Sequence, residues 1–200
     1  MPAIYLDIET YRRGGKAFVR EEIIAIGVLE EGSSEPKIFK AWDGDRVKGE
    51  AEVLKEFYEY IMGLGDPRNI IFVGFNILRF DIPLLIQRLV EYGMRELSQL
   101  NQFWNSKVRV VDLMQLTLPL NKMKFMGHTL ENLASRLRRV CPEIPEPKGR
   151  GSEIPKAYKE GNYAYIEEHL KTDLIIIKEV YSCIRRCMSI TLQCTTKQEL

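Results

Sequence analysis

The sequence has no apolar run of 18 residues, so nothing in it reads as a membrane-spanning helix. It also lacks an excess of charge: 29 Lys and Arg stand against 28 Asp and Glu, for a net +1. No overall field therefore calls for an anionic partner, although a basic rim around an acidic site remains compatible with that balance. The opening "MPAIYLDIET" has no basic segment ahead of an apolar core. It reads as a buried strand rather than a signal peptide, which makes the cytoplasm the expected location. Cysteine is sparse. Cys141, Cys183, Cys187 and Cys194 form no C-x-x-C pair, and no histidines lie at zinc-finger spacing. Cys183 and Cys187 fall one helical turn apart, a poor arrangement for a disulfide, so buried reduced thiols are the favoured reading. Histidine is scarcer still, with only His128 and His169. Internal repeats and low-complexity segments are missing.

What is present is an alternating α/β pattern. Strands are expected at residues 3–8, in "EEIIAIGVLEEG" from Glu21 and in "KIFKAWDG" from Lys37, with "EEGSSEP" as a hairpin connection. From Glu50 to Met62, the residues Val53, Leu54, Phe57, Tyr58 and Ile61 recur with helical period, and Gly63 and Gly65 end the run. "NIIFVGFN" is a continuous apolar run suited to a strand buried on both faces. "DIPLLIQRLVEYGM" follows as a helix, with Pro83 tolerated in its first turn. "KVRVVDLM" is a fifth strand, and "HTLENLASRLRRV" a helix with Thr129 as its cap. "CPEIPEPKGRGSEIP" reads as a loop, and a long helix runs from about Asn162 past Cys187. Three strands followed by alternating helices and strands imply a mixed five-stranded sheet flanked by helices. The 200 residues are expected to form a single domain.

The acids carry the functional signal. Asp7 and Glu9 in "YLDIET" are two apart on a strand, so both carboxylates project from one face. Their repulsion and desolvation would be relieved by a divalent cation of the Mg or Mn kind; the plainer reading leaves one acid in solvent at the strand end. Asp81 in "GFNILRFD" lies beyond a strand at the opening of a helix, as a cap, as part of a site beside the sheet, or as both. Asn76 would be a turn residue. In "IEEHLKTD", Ile166, His169, Leu170, Asp173 and Ile177 share one helical face. An acid in the middle of that apolar face needs a partner.

The order D-x-E, then N-x-x-x-F-D, then an imidazole four residues before Asp resembles the DEDD superfamily of 3'-5' exonucleases, with its ribonuclease H-like fold. The likeness is nearest to stand-alone relatives of the proofreading domain of family-B DNA polymerases. It runs from "YLDIET" through "VGFNILRFDIPLLIQR" and "VRVVDLMQL" to "HLKTDLII". It implies that Asp7, Glu9, Asp81 and Asp173 hold two divalent cations for an in-line phosphoryl displacement. It also places Thr10 and Asn76 near the terminal nucleotide. Phe80 is read as core packing. The chain departs from the family at His169. The polymerase-type branch has Tyr-x-x-x-Asp here, and the other main branch His-x-x-x-x-Asp. His169 is assigned to the slot as a general base, with metal ligation and simple packing as the second and third choices. Tyr163 and Tyr165 match neither spacing.

Phosphate contacts require cations. Arg12, Arg13 and Lys16 follow the first acidic strand. Lys122, Lys124, Lys148 and Arg150 lie in two basic loops, with Phe125 as a stacking candidate. For each, an ordinary solvated loop residue is the competing reading. His128 is expected to be a capping or surface residue. The reading as a whole is a metal-dependent 3'-5' exonuclease on single-stranded 3' ends, DNA favoured over RNA, with any replication or repair proteins acting in trans. An RNA-directed or structure-specific nuclease, and a nucleic-acid-binding protein without catalysis, are the alternatives.

Overall fold

The computed structural model describes residues 1–12, 14, 21–43 and 46–196, apart from the side chains of 46 and 189–196. Arg13 and Lys16, expected near the substrate, lie outside the described residues, as does the side chain of Cys194.

The chain opens with two long strands, β1 (Ala3–Arg12) and β2 (Glu21–Glu30), and a shorter one, β3 (Lys37–Lys40). A small ribbon follows, β4 (Trp42–Asp43) with β5 (Arg46–Val47). The sequence pattern ran these residues into the third strand, but the chain leaves the sheet at Ala41. After α1 (Glu50–Gly63) come β6 (Ile71–Gly74), α2 (Asp81–Glu91), α3 (Leu97–Gln102) and β7 (Arg109–Asp112). The short α4 (Leu113–Leu116), α5 (Leu130–Leu137), α6 (Ile154–Lys159) and the long α7 (Tyr163–Thr196) complete the order. The Pro- and Gly-rich loop is shorter than its composition suggests. It gives way to a 3-10 turn at Gly151–Glu153, and α6 begins with Pro155 in its first turn.

The main sheet is mixed and five-stranded, in the order β3-β2-β1-β6-β7. The first three strands pair antiparallel, while β1–β6 and β6–β7 are parallel. This bears out the ribonuclease H-like architecture expected from the sequence. Cross-strand pairing sorts the side chains into two faces. Ile8, Ile26 and Phe39 are in register, and Phe39 meets Phe57 of α1 edge-on at 5.8 Å. In the next row, Asp7 pairs with Gly27 on the opposite face, where α7 packs. A Cβ on Gly27 would fall 2.7 Å from Leu174 and 2.8 Å from Leu170. Glycine therefore lets α7 approach the sheet beside Asp7. The largest fully buried side chains, among them Tyr5, Phe57, Phe72 and Leu6, fill both faces.

One bridge differs from expectation. Cys141, just past α5, and Cys183, on α7, are joined in a disulfide with Cα atoms 6.2 Å apart. The favoured reading of buried reduced thiols is therefore corrected for this pair. α5 packs on α7, and that tertiary contact brings together residues 42 apart in sequence. Cys187 lies exposed, outside the bridge.

Candidate active site

β1 ends in a local irregularity. Glu9 pairs with Ala25 and Thr10 with Ile23, so Ile24 is the extra residue of a β-bulge. Bulges twist a strand and re-aim its side chains. Before it, Asp7 and Glu9 keep their common orientation toward α7. β6 runs parallel to β1 and leaves the sheet at Gly74, whose Cβ would meet the Leu6 oxygen at 2.8 Å. The turn that follows thus arrives at the level of Asp7. Asn76 takes a left-handed conformation with φ of 64°. Asp112, at the end of β7, holds this turn: its carboxylate accepts from the Asn76 N–H at 3.0 Å and the Leu78 N–H at 3.2 Å. It also caps α4 through the Met114 N–H at 2.9 Å. Asp81 then falls in the first turn of α2, where the cap position belongs to Phe80 and no side chain caps the helix. The capping role weighed for Asp81 is not the one it plays.

Asp7, Asn76, Asp81, Asp173 and Arg150 line one cleft of about 720 Å³, joined by Phe80, His128 and Glu131. Glu9 is buried beside it and connects through His169, whose Nε2 lies 3.6 Å from Glu9 Oε1 and 3.5 Å from Asp173 Oδ2. The imidazole is 3% exposed. Its Nδ1 lies 2.6 Å from the backbone oxygen of Lys148. A carbonyl oxygen only accepts, so Nδ1 carries hydrogen. In the neutral ring Nε2 is then the basic nitrogen, and it faces the acids.

The acids perturb one another strongly. Burial raises the Asp7 carboxyl well above its ordinary range, and the charge of Asp173 raises it further. Burial does the same to Glu9, followed by the charges of Asp7, Asp173 and Asp81. Asp81 is raised by burial and then by Asp7. The nearby Ile8 N–H works in the opposite direction on both Asp7 and Asp81. Asp173 is raised to about 7 by burial, then by Glu131 of α5. Its Oδ1 is buried with no hydrogen-bond partner among the described residues. Such a cluster of hard, uncompensated oxygens suits a divalent cation. The donor set fits such an ion, but the acids stand as neighbours rather than a closed cage. Among the described residues, no three acidic, His or Cys side chains form a ready-made metal cluster.

The basic candidates divide. Arg150 lines the cleft. Arg12 is tied to Glu21 at 2.9 Å, and Thr10 donates to the same carboxylate at 2.8 Å. The Lys148 ammonium pairs with Glu168 at the exposed surface, and its backbone oxygen meets His169. Lys124 is exposed on a loop, away from the cleft lining. Beside it, Phe125 already carries the Arg79 guanidinium on its ring at 3.9 Å. Phe80 packs partly on the core and partly lines the cleft. His128 is neither a cap nor a surface residue. It is buried, with Nε2 2.9 Å from Thr117 Oγ1 and its ring against Phe75, while Thr129 caps α5. Burial lowers its pKa.

Sequence reasoning missed Asp112, Glu131 and Tyr165. Asp112 lies inside "VRVVDLM" at the end of a strand, and an acid ending an apolar strand was the available signal. Glu131 carried none, since only the fold places it here, whereas Tyr165 lies one helical turn before His169 and was set aside because it matched neither motif spacing.

A mixed sheet of this order with acids gathered where β1 meets α7 defines a class of protein. The chain belongs to the RNase H superfamily, whose family model matches residues 4–177. No curated protein sequence matches it. Its fold is similar to that of the family B DNA polymerase from the hyperthermophilic archaeon Pyrobaculum calidifontis, with a TM-score of 0.62 at 16% identity. That likeness covers 90% of this chain and 24% of the polymerase, so the chain spans about a quarter of the length of that protein. Among the described residues, no helix is long and apolar enough to cross a membrane.

Proposed function

We propose that the protein is a metal-dependent 3'-5' exonuclease that hydrolyses phosphodiester bonds at single-stranded 3' ends, with DNA favoured. The observation that carries this reading is His169. Its Nδ1 is tied to a backbone carbonyl, and its Nε2 stands between Glu9 and Asp173 at 3.6 and 3.5 Å. Asp7, Glu9, Asp81 and Asp173 would hold two divalent cations, Mg or Mn. Once bound, these would neutralise the acids and lend positive charge to the attacking water and the departing 3' oxygen.

The chain's own groups divide the remaining work. His169 accepts the proton of the attacking water at Nε2, and the Nδ1–H···O=C bond to Lys148 keeps that nitrogen directed inward. The Asn76 side chain, whose buried Oδ1 has no partner among the described residues, lines the cleft where a terminal nucleotide would lie. Arg150 is positioned to offset phosphate charge. A single strand suits a cleft lined by Phe80 and Arg150, a ring and a cation suited to a base and a phosphate. The test compares end-labelled single-stranded DNA, duplex DNA and RNA with Mg, with Mn and with chelator. Metal-dependent shortening of single-stranded DNA from the 3' end supports the reading. Preference for RNA or for duplex junctions selects the structure-specific alternative, and tight binding without cleavage selects the non-catalytic one.

A further inference from the structure

We propose that Tyr165 is a positioning residue for His169, fastening the loop whose carbonyl sets the orientation of the imidazole. This rests on the exonuclease reading for its effect on rate, although the geometry stands independently. Tyr165 lies one helical turn before His169 on α7, and the two rings are stacked, with centroids 6.3 Å apart and planes 3° from parallel. The phenol hydroxyl donates to the Glu153 carboxylate and accepts from the Arg150 N–H at 3.4 Å. Glu153 in turn accepts from that same Arg150 N–H at 3.3 Å. Gly149 sits directly on the hydroxyl: a Cβ there would fall 2.0 Å from the phenol oxygen, and its φ of 73° is left-handed. Only glycine combines that approach with that conformation.

The residue just before Gly149 is Lys148, whose carbonyl accepts from His169 Nδ1 at 2.6 Å. The phenol therefore grips residues 149, 150 and 153, and the loop it grips presents the acceptor that fixes the imidazole. Without the grip, the carbonyl drifts and the ring loses the bond that selects the Nδ1–H form. Nε2 then carries hydrogen for part of the time and cannot take a proton. Groups that orient a catalytic histidine through its second nitrogen act in this way.

The presence of only two histidines makes the test direct. Nitrogen-15 spectra of the imidazoles are recorded in chelator for the wild type, Tyr165→Phe and Gly149→Ala. The wild-type His169 should show the Nδ1–H tautomer alone, and both variants should shift toward a mixture, with the His128 signals unchanged as a folding control. In the cleavage assay Tyr165→Phe should lower kcat by about tenfold or more with little change in KM. Unshifted His169 signals in two folded variants overturn the proposal, as does a shifted spectrum with wild-type kcat. If the wild type cleaves nothing, the exonuclease reading fails, and the spectra alone decide whether Tyr165 orients His169.

Discussion

His169 Nδ1 and the backbone oxygen of Lys148 stand 2.6 Å apart across 21 residues of chain. That contact shows how an imidazole is held in the slot where the polymerase-type exonuclease motif that the sequence resembles carries a tyrosine. A side chain one helical turn from Asp173 is directed by its second nitrogen, and the other nitrogen meets Glu9 and Asp173 together. His169→Ala should therefore lower kcat by about 100-fold or more while substrate binding changes little, as expected when a general base is removed. Rate and binding measured on one labelled oligonucleotide check this. A variant that cleaves at the wild-type rate removes His169 from the reaction.

The four acids make stability depend on pH in an unusual direction. Asp173 rises from 3.8 to about 7 in the folded protein, and Asp7, Glu9 and Asp81 shift upward as well. Between those limits the folded state holds protons that the unfolded state has released. The contribution of Asp173 is thus complete below the ordinary carboxylate range and declines as pH rises through about 7, and the other three acids act in the same direction. In chelator, Tm should fall between about pH 5 and pH 8, and Mg or Mn should restore it at the higher pH. A chelated protein whose Tm rises over that interval contradicts the coupling.

Gly27 sets how closely α7 approaches Asp7. Gly27→Ala places a Cβ within 2.8 Å of both Leu170 and Leu174, and one of these residues adjoins His169 and the other Asp173. The cost should be about 1–3 kcal/mol, the usual range for overpacking a core. Cleavage should weaken more than the loss of folded protein explains, because the helix that carries two site residues is displaced. Denaturant unfolding checks the first effect, and activity per folded molecule the second. An unchanged midpoint shows that α7 has room to spare.

Much of the site was legible because local periodicity places it. Two residues apart on a strand put Asp7 and Glu9 on one face, and four apart on a helix did the same for His169 and Asp173. The five strands of the main sheet were readable for the same reason, as was the Thr129 cap. What escaped depends on contacts between distant segments. The Cys141–Cys183 bridge needs α5 packed on α7, while local spacing offered only Cys183 and Cys187, one helical turn apart and poorly placed for a disulfide. Asp112 resembled an ordinary strand end until the 76–78 turn closed on it. Tyr165 matched no motif spacing; the helix sets it one turn before His169, but its grip on residues 149, 150 and 153 emerges only when that loop folds back over the helix. Lys148 drew notice only for its charge, and the contact of its carbonyl with His169 was not legible.

The central claim is tested most directly by digesting single-stranded DNA labelled at its 5' end, in Mn, with the wild type and Asp7→Ala side by side. The wild type should give a ladder that shortens from the 3' end and releases nucleoside monophosphates. Asp7→Ala, folded by circular dichroism, should lose activity by more than about 100-fold, beyond what losing a supporting group costs. Near-normal cleavage by Asp7→Ala, or a wild type that shortens nothing in either Mg or Mn, would contradict the account.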